Sequence, residues 1–362
     1  MPAAFVLFPA RNRYNEREFY EKQSERDSMA SVMNIIGGIS FFLLGMMLMG
    51  EGLKSASGDA LRNMMNRFAS RPVPAILTGT IITNITQSST ATSIMTIGFV
   101  NAGILTFAQS IGVIFGANLG STTTAWFVAF LGVKFSISRL ALPMVAAGVI
   151  LMLAGRSWRP HVGKAAAGFG LLFFGIQLLQ DGMETLNGYL DLAAFSGTEL
   201  TGRFLLVIIG LVLTVIMQSS TASVATIITM LSIDAIALDQ AIALVIGANI
   251  GTTATAILAA IGANVHAKRT AAAHVQFNLI TAFLLFWLFP VLPSSIGALS
   301  RLMGWHDPGA AVAVFHTFFS LFGILLLTPF LHPFARVIMN LLPEKERPPA
   351  SGRTESAQDG RS

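Results

Sequence analysis

Of the chain's 362 residues, 53% are hydrophobic and only 11% charged, against roughly 25% charged in soluble domains. That balance excludes a soluble globular domain and places the long apolar runs in a bilayer. The net charge of +5 sits in short connections between those runs, which the positive-inside bias explains without a nucleic-acid partner. Cysteine is absent and the histidines lack HxxxH or HExxH spacing, so neither thiol chemistry nor a zinc site is expected.

In chain order, residues 1–32 read as an unembedded leader. An apolar octamer, Ala3 to Ala10, precedes a charged stretch from Arg11 to Asp27, the reverse of a signal peptide's order. The first predicted span is Ile35–Gly52. Pro72 to Val133 then contains no Asp, Glu, Lys, Arg or His, yet polar clusters interrupt it at Thr83–Thr90 and Asn118–Thr124. Leu140–Ala154 and Ala165–Met183 are further predicted spans. Phe204–Ile233 and Gln240–Val265 repeat the uncharged but interrupted pattern. Ala271–Pro290 and Gly309–Phe330 complete the spans, and residues 343–362, rich in Pro, Ser, Gly and mixed charge, are expected to be disordered.

The pattern is an internal duplication. TNITQSSTATS (Thr83 to Ser93) recurs as TVIMQSSTASV (Thr214 to Val224), and GANLGSTTT (Gly116 to Thr124) as GANIGTTAT (Gly247 to Thr255). Gln87 and Gln218 are 131 residues apart, as are Asn118 and Asn249. Gly38–Leu53 also resembles Gly168–Met183, at a spacing of 130. The repeats occupy 33–155 and 156–290, with a last helix in 291–342.

Backbone that leaves the helix at membrane depth must face protein or a wet cavity. Each Gln-Ser-Ser cluster is therefore read as the tip of a re-entrant helical hairpin, and each Gly-Ala-Asn cluster as the unwound centre of a broken transmembrane helix. The loop after the first span carries Lys54, Arg62, Arg67 and Arg71 against Asp59, a cytoplasmic signature. The matching loop, Glu184 to Arg203, carries Asp191 and Glu199 against Arg203, which puts it outside. The predicted fold is an all-α membrane protein of two inverted-topology repeats, each with one hairpin and one broken helix. It makes seven crossings, with the N-terminus out and the C-terminus in; Lys134 and Arg139 run against this scheme.

Gln, Ser and Thr in an uncharged segment supply amide and hydroxyl oxygens, which suit a hard cation such as sodium. Helix N-termini exposed at a break suit an anion. An isolated string of this kind more often packs helices in membranes, but two strings repeated at one spacing favour a binding site. The embedded segments lack the acids, cysteines or paired histidines of catalysis, so an enzyme is not expected.

These motifs resemble those of the sodium–phosphate cotransporter family, whose members carry a QSS signature in each of two inverted repeats. The likeness runs over QSST (Gln87 to Thr90), QSST (Gln218 to Thr221), GANLGSTTT, GANIGTTAT and HVQFN (His274 to Asn278), and covers roughly Met33 to Pro290. It implies sodium-coupled phosphate transport by alternating access across a bacterial inner membrane. The binding residues it implies are Gln87, Ser88, Ser89, Thr90, Asn118, Ser121, Thr122, Gln218, Ser219, Ser220, Thr221, Asn249, Thr252 and Thr253, with Asn84, His274 and Asn278 as further candidates. No cofactor is expected beyond co-transported sodium. The expected partners are phosphate, sodium, the lipid bilayer and possible further copies of the chain. A phosphate exporter of the same family and a passive anion channel are the alternatives. Animal members carry a His-x-x-Phe-Asn-like element in the first repeat too, where this chain has PMVAA (Pro143 to Ala147), so the halves are expected to contribute unequally.

Overall fold

The computed structural model describes residues 13–57, 63–64, 71–133, 138–154, 157–186 and 195–344; most of the charged loop after the first span, residues 187–194 of the acidic loop and nearly all of the expected disordered tail lie outside these. Among the described residues every regular element is helical. Seven helices are long and apolar enough to cross a membrane, spanning residues 28–57, 107–131, 159–184, 200–217, 238–259, 265–288 and 308–341. The membership differs from the sequence expectation. Leu140–Leu153 is among the shorter apolar helices, whereas Leu200–Met217, expected as one arm of a hairpin, is long enough to cross. Large apolar side chains cover the outside, among them Leu153, Ile216 and Leu325, each more than 70% exposed. A surface of that kind needs lipid rather than water around it.

Helix α1 (Arg13–Ser57) runs unbroken through the expected leader boundary, because nothing from residue 13 to Val32 breaks a helix. It packs along α6 (Arg159–Leu186), while α5 (Ser138–Ala154) lies on the other flank of α6. The α1–α6 seam is built from glycines. A Cβ on Gly45 would lie 2.4 Å from the Leu172 nitrogen, and one on Gly168 would lie 2.3 Å from the Met49 nitrogen. Gly38 meets Gly175 in the same way, so the two helices run in opposite directions. The contacts also exchange under the repeat: Gly38 corresponds to Gly168 and Gly45 to Gly175, which is the signature of a local two-fold axis between α1 and α6.

Each repeat continues with a helix pair broken at its Gln-Ser: α2 (Pro72–Thr86) with α3 (Ser89–Asn101), and α7 (Leu200–Met217) with α8 (Ser220–Ser232). Next comes the helix carrying the Gly-Ala-Asn string. In the first repeat this is α4 (Phe107–Phe127), started by a capping box between Thr106 and Gln109 and extended by a π-helical turn, Val128–Val133. In the second it is α9 (Leu238–Gly251) followed by α10 (Thr253–Ala259). Gln240 again accepts the backbone N–H three residues before it, at 2.7 Å, but Ala237 has no side-chain oxygen with which to return the bond. Helices α11 (Val265–Leu288), α12 (Leu292–Leu302), α13 (Pro308–Leu327) and α14 (Leu331–Leu341) complete the molecule.

The expected unwinding at Gly-Ala-Asn is corrected. Helix α4 passes through Gly116–Thr124 without interruption, and in the second repeat only Thr252 departs, itself with right-handed helical φ and ψ. Two physical reasons account for this. The polar side chains bond to their own helix: Asn118 and Asn249 Nδ2 each donate to the carbonyl four residues back at 2.9 Å, and Ser121, Thr122, Thr252 and Thr253 Oγ donate to the carbonyl three back. The glycines bring neighbouring backbone into contact. A Cβ on Gly116 would lie 1.9 Å from the Ile76 carbonyl oxygen, and one on Gly247 would lie 1.9 Å from that of Val207, the same contact in each repeat. The string is a close-packing seam between α4 and α2, and between α9 and α7.

The seam gives a test. Gly116→Ala and Gly247→Ala should each destabilise by about 1–3 kcal/mol through overpacking against backbone. Gly37→Ala, where an added Cβ meets nothing within 4 Å, should hold or raise stability, since alanine is the better helix former. Thermal unfolding of the purified variants in detergent distinguishes the two outcomes.

Candidate functional site

Helices α2 and α7 both end on a glutamine in the left-handed conformation, Gln87 at φ 52°, ψ 28° and Gln218 at φ 51°, ψ 23°. A non-glycine residue is placed there at a cost of roughly 1–2 kcal/mol, and such strain concentrates at functional sites. The next serine is extended and caps the following helix: Ser88 Oγ accepts from Ala91 N–H at 3.1 Å, and Ser219 Oγ from Ala222 N–H at 3.2 Å. Each capping hydroxyl keeps its own proton to donate. The N–H groups of Ser89 and Thr90, and of Ser220 and Thr221, fall in the first turn, where a helix supplies no acceptor.

The two tips meet. One cavity of about 870 Å³ is lined by Gln87, Ser88, Ser89 and Thr90 together with Gln218, Ser219, Ser220 and Thr221. Its apolar walls include Leu43, Met46 and Met47 of α1 and Ile94, Met95 and Phe99 of α3. The N-terminal ends of α3 and α8 therefore border one space, each carrying the partial positive charge of a helix start.

The repeats are not equivalent at the tips. Gln87 is buried; its Oε1 accepts from Thr124 Oγ1 at 2.9 Å, and its Nε2 donates to the Asn84 carbonyl. Gln218 is exposed in the cavity. Thr255, which occupies the position of Thr124, bonds at 3.0 Å to the Thr252 carbonyl in its own helix instead. Asn84 itself donates to the Thr80 carbonyl at 2.9 Å.

The Gly-Ala-Asn residues stand apart from this cavity. Asn118 lies in a buried cluster where its Oδ1 is 3.4 Å from both His274 Nε2 and Asn278 Nδ2, and Ser320 Oγ donates to its carbonyl at 3.3 Å. His274 Nδ1 and Asn278 Oδ1 are buried there without a protein partner. In the other repeat, the positions matching His274 and Asn278 are Pro143 and Ala147, and the Asn249 side chain bonds back to the Val245 carbonyl. The single His-x-x-Phe-Asn element thus serves the asparagine of the opposite repeat. Ser121, Thr122, Thr252 and Thr253 are turned to their own helices, as described above.

Charge enters the cavity where none is expected beside the motifs. Glu51 and Lys54 of α1 line it, and Glu51 is ion-paired with Lys164 of α6. Read from sequence alone, Lys54 counts only as a loop charge that orients the span.

A family model described as Na+/Pi-cotransporter matches residues 41–181 and again 182–327. The chain is 33% identical over 311 residues to the uncharacterized protein YqeW of Bacillus subtilis, covering 85% of this chain and 97% of that one. It is 27% identical over 320 residues to Escherichia coli YjbB, named provisionally an inorganic phosphate export protein; this covers 87% of the chain and 56% of the relative's length. Human sodium-dependent phosphate transport protein 2C is 39% identical over 95 residues, 25% of this chain and 16% of that one. No solved structure matches at the same stringency.

The left-handed tips separate chemistry from folding. Gln218→Gly relieves the positive-φ strain and deletes an amide that is exposed in the cavity and has no hydrogen bond among the described residues. It should keep the unfolding temperature at or above that of the parent while phosphate transport falls at least tenfold. Thermal unfolding and uptake on the same preparation test this, and loss of both together would mean that Gln218 is structural.

Proposed function

Because the chain belongs to the Na+/Pi-cotransporter family, we propose that it moves inorganic phosphate across a bacterial inner membrane together with sodium, by alternating access. The observation that carries this reading is the meeting of both QSST tips in one cavity. Phosphate is an acceptor-rich anion. The orphan N–H groups at the starts of α3 and α8, and the free protons of Ser88 and Ser219, are donors of the kind it needs. Sodium needs oxygens, and the carbonyls at the ends of α2 and α7, the Gln218 amide and the threonine hydroxyls are oxygens of that kind. Because the QSST groups themselves are neutral, each ion supplies much of the other's compensating charge there. The Asn118–His274–Asn278 cluster, with two unpartnered buried atoms, is a second candidate for the cation.

The antiparallel α1–α6 seam favours repeats of inverted topology, since corresponding helices lie side by side in opposite directions. In that arrangement each QSST pair is a re-entrant hairpin returning to its own side, and exchange of the two repeats' conformations exposes the cavity to each side in turn. The export direction in the name of the Escherichia coli relative is compatible with this reading, because gradients and coupling set the direction of flux.

Two results follow. Ser88→Ala and Ser219→Ala should each lower sodium-dependent phosphate transport in proteoliposomes at least tenfold at matched insertion, and normal transport in both would remove the site assignment. Phosphate should also bind roughly 5- to 150-fold more weakly when choline replaces sodium at equal ionic strength, the range expected for linkage of about 1–3 kcal/mol. Calorimetry on purified protein measures this, and equal binding in the two salts would contradict sodium coupling.

A further inference from the structure

We propose that Lys54 is the positioning residue that captures the phosphate anion in this cavity, a role that rests on the phosphate-carrying reading above. Among the described residues that line the cavity, Glu51 and Lys54 are the charged ones. Glu51 is committed to Lys164 across the α1–α6 seam, so those two charges largely cancel. Lys54 lies three residues beyond Glu51, on the same face of α1. It is exposed, and among the described residues it has neither an ion-pair nor a hydrogen-bond partner. Among the described residues lining the cavity, the uncompensated positive charge therefore sits on one ammonium, at the last turn of α1.

The tips alone leave a gap in the chemistry. Both QSST motifs offer donors that are neutral and fixed, good for coordinating an anion that has arrived but weak at drawing one from water. A cation at the edge of a cavity with apolar walls concentrates anions there and speeds their arrival. The compact, strongly hydrated ammonium on a flexible stem suits a transient contact that releases the ion inward.

Lys54 also breaks the repeat. Every polar residue of the first QSST tip has its copy in the second, and Glu51 has Asp181, but the position matching Lys54 holds Glu184. A cavity opened by the second repeat would present an acid where this one presents an amine, so anion capture belongs to one face of the transporter. Orienting α1 does not require Lys54 either, since Arg62, Arg67 and Arg71 follow in the same loop.

The test is phosphate transport in proteoliposomes at fixed sodium, with choline chloride varying the ionic strength. Lys54→Gln should raise KM for phosphate roughly fivefold, the scale of one exposed charge contact, with turnover within about twofold of the parent. Lys54→Arg should restore KM, and Lys268→Gln, which removes a charge from a different groove, should leave it unchanged. In the parent, KM should climb with ionic strength as the charge is screened, and this slope should vanish in Lys54→Gln. An unchanged KM in Lys54→Gln, a failure of Lys54→Arg to restore it, or a parent KM indifferent to ionic strength overturns the proposal. Absence of phosphate transport by the parent would instead overturn the functional reading on which it rests.

Discussion

Two glutamines that end helices in left-handed conformation are the constraint on which the rest of the molecule depends. A helix stopped inside an apolar protein strands carbonyls on one side of the break and N–H groups on the other. In lipid each stranded group costs several kcal/mol unless something satisfies it. Here the following serine satisfies one N–H, Thr124 and the Asn84 carbonyl hold the Gln87 amide, and the remaining groups border a cavity. A site that water and ions must complete is the natural consequence of breaking helices in this way.

Holding two strained breaks face to face requires a stiff frame, and glycine supplies it. The Gly116–Ile76 and Gly247–Val207 approaches lock α4 against α2 and α9 against α7, while Gly38, Gly45, Gly168 and Gly175 lock α1 against α6. Between apolar helices in a bilayer there is little hydrophobic gain from association, so dispersion contacts at short range carry the assembly. Rigid pairs joined at two tips also suit rigid-body exchange between states, because strain is transmitted rather than absorbed within tightly packed units.

Much of this was legible in the residues, and the failures have physical causes. The doubled QSST strings mark the two helix breaks, because the same hydroxyls and amide recur at one spacing in uncharged apolar runs. The Gly-Ala-Asn strings read as breaks in sequence yet fold as seams, because glycine, asparagine and threonine together suit both an unwound backbone and a tight seam. Side-chain bonding to the preceding turn decides between these, and composition does not record it. By length Leu200–Met217 can cross the membrane whereas Leu140–Leu153 is shorter, a difference that apolar runs in the sequence do not show because packing decides where each helix ends. The Asn118–His274–Asn278 cluster spans both repeats, so no local pattern announces it, although the replacement of its counterpart by PMVAA pointed to the asymmetry. Lys54 was hidden by its place in a basic loop, where the positive-inside rule already explained it.

The central claim is that the two tips form one site rather than two. Titration of inorganic phosphate into the purified protein in saturating sodium, read by calorimetry, tests this through its stoichiometry. The account predicts one phosphate per chain, and in Ser88→Ala and in Ser219→Ala alike a weakening of that same single site. Two phosphates per chain, or a half-loss of stoichiometry in each variant with the remaining affinity unchanged, would contradict it.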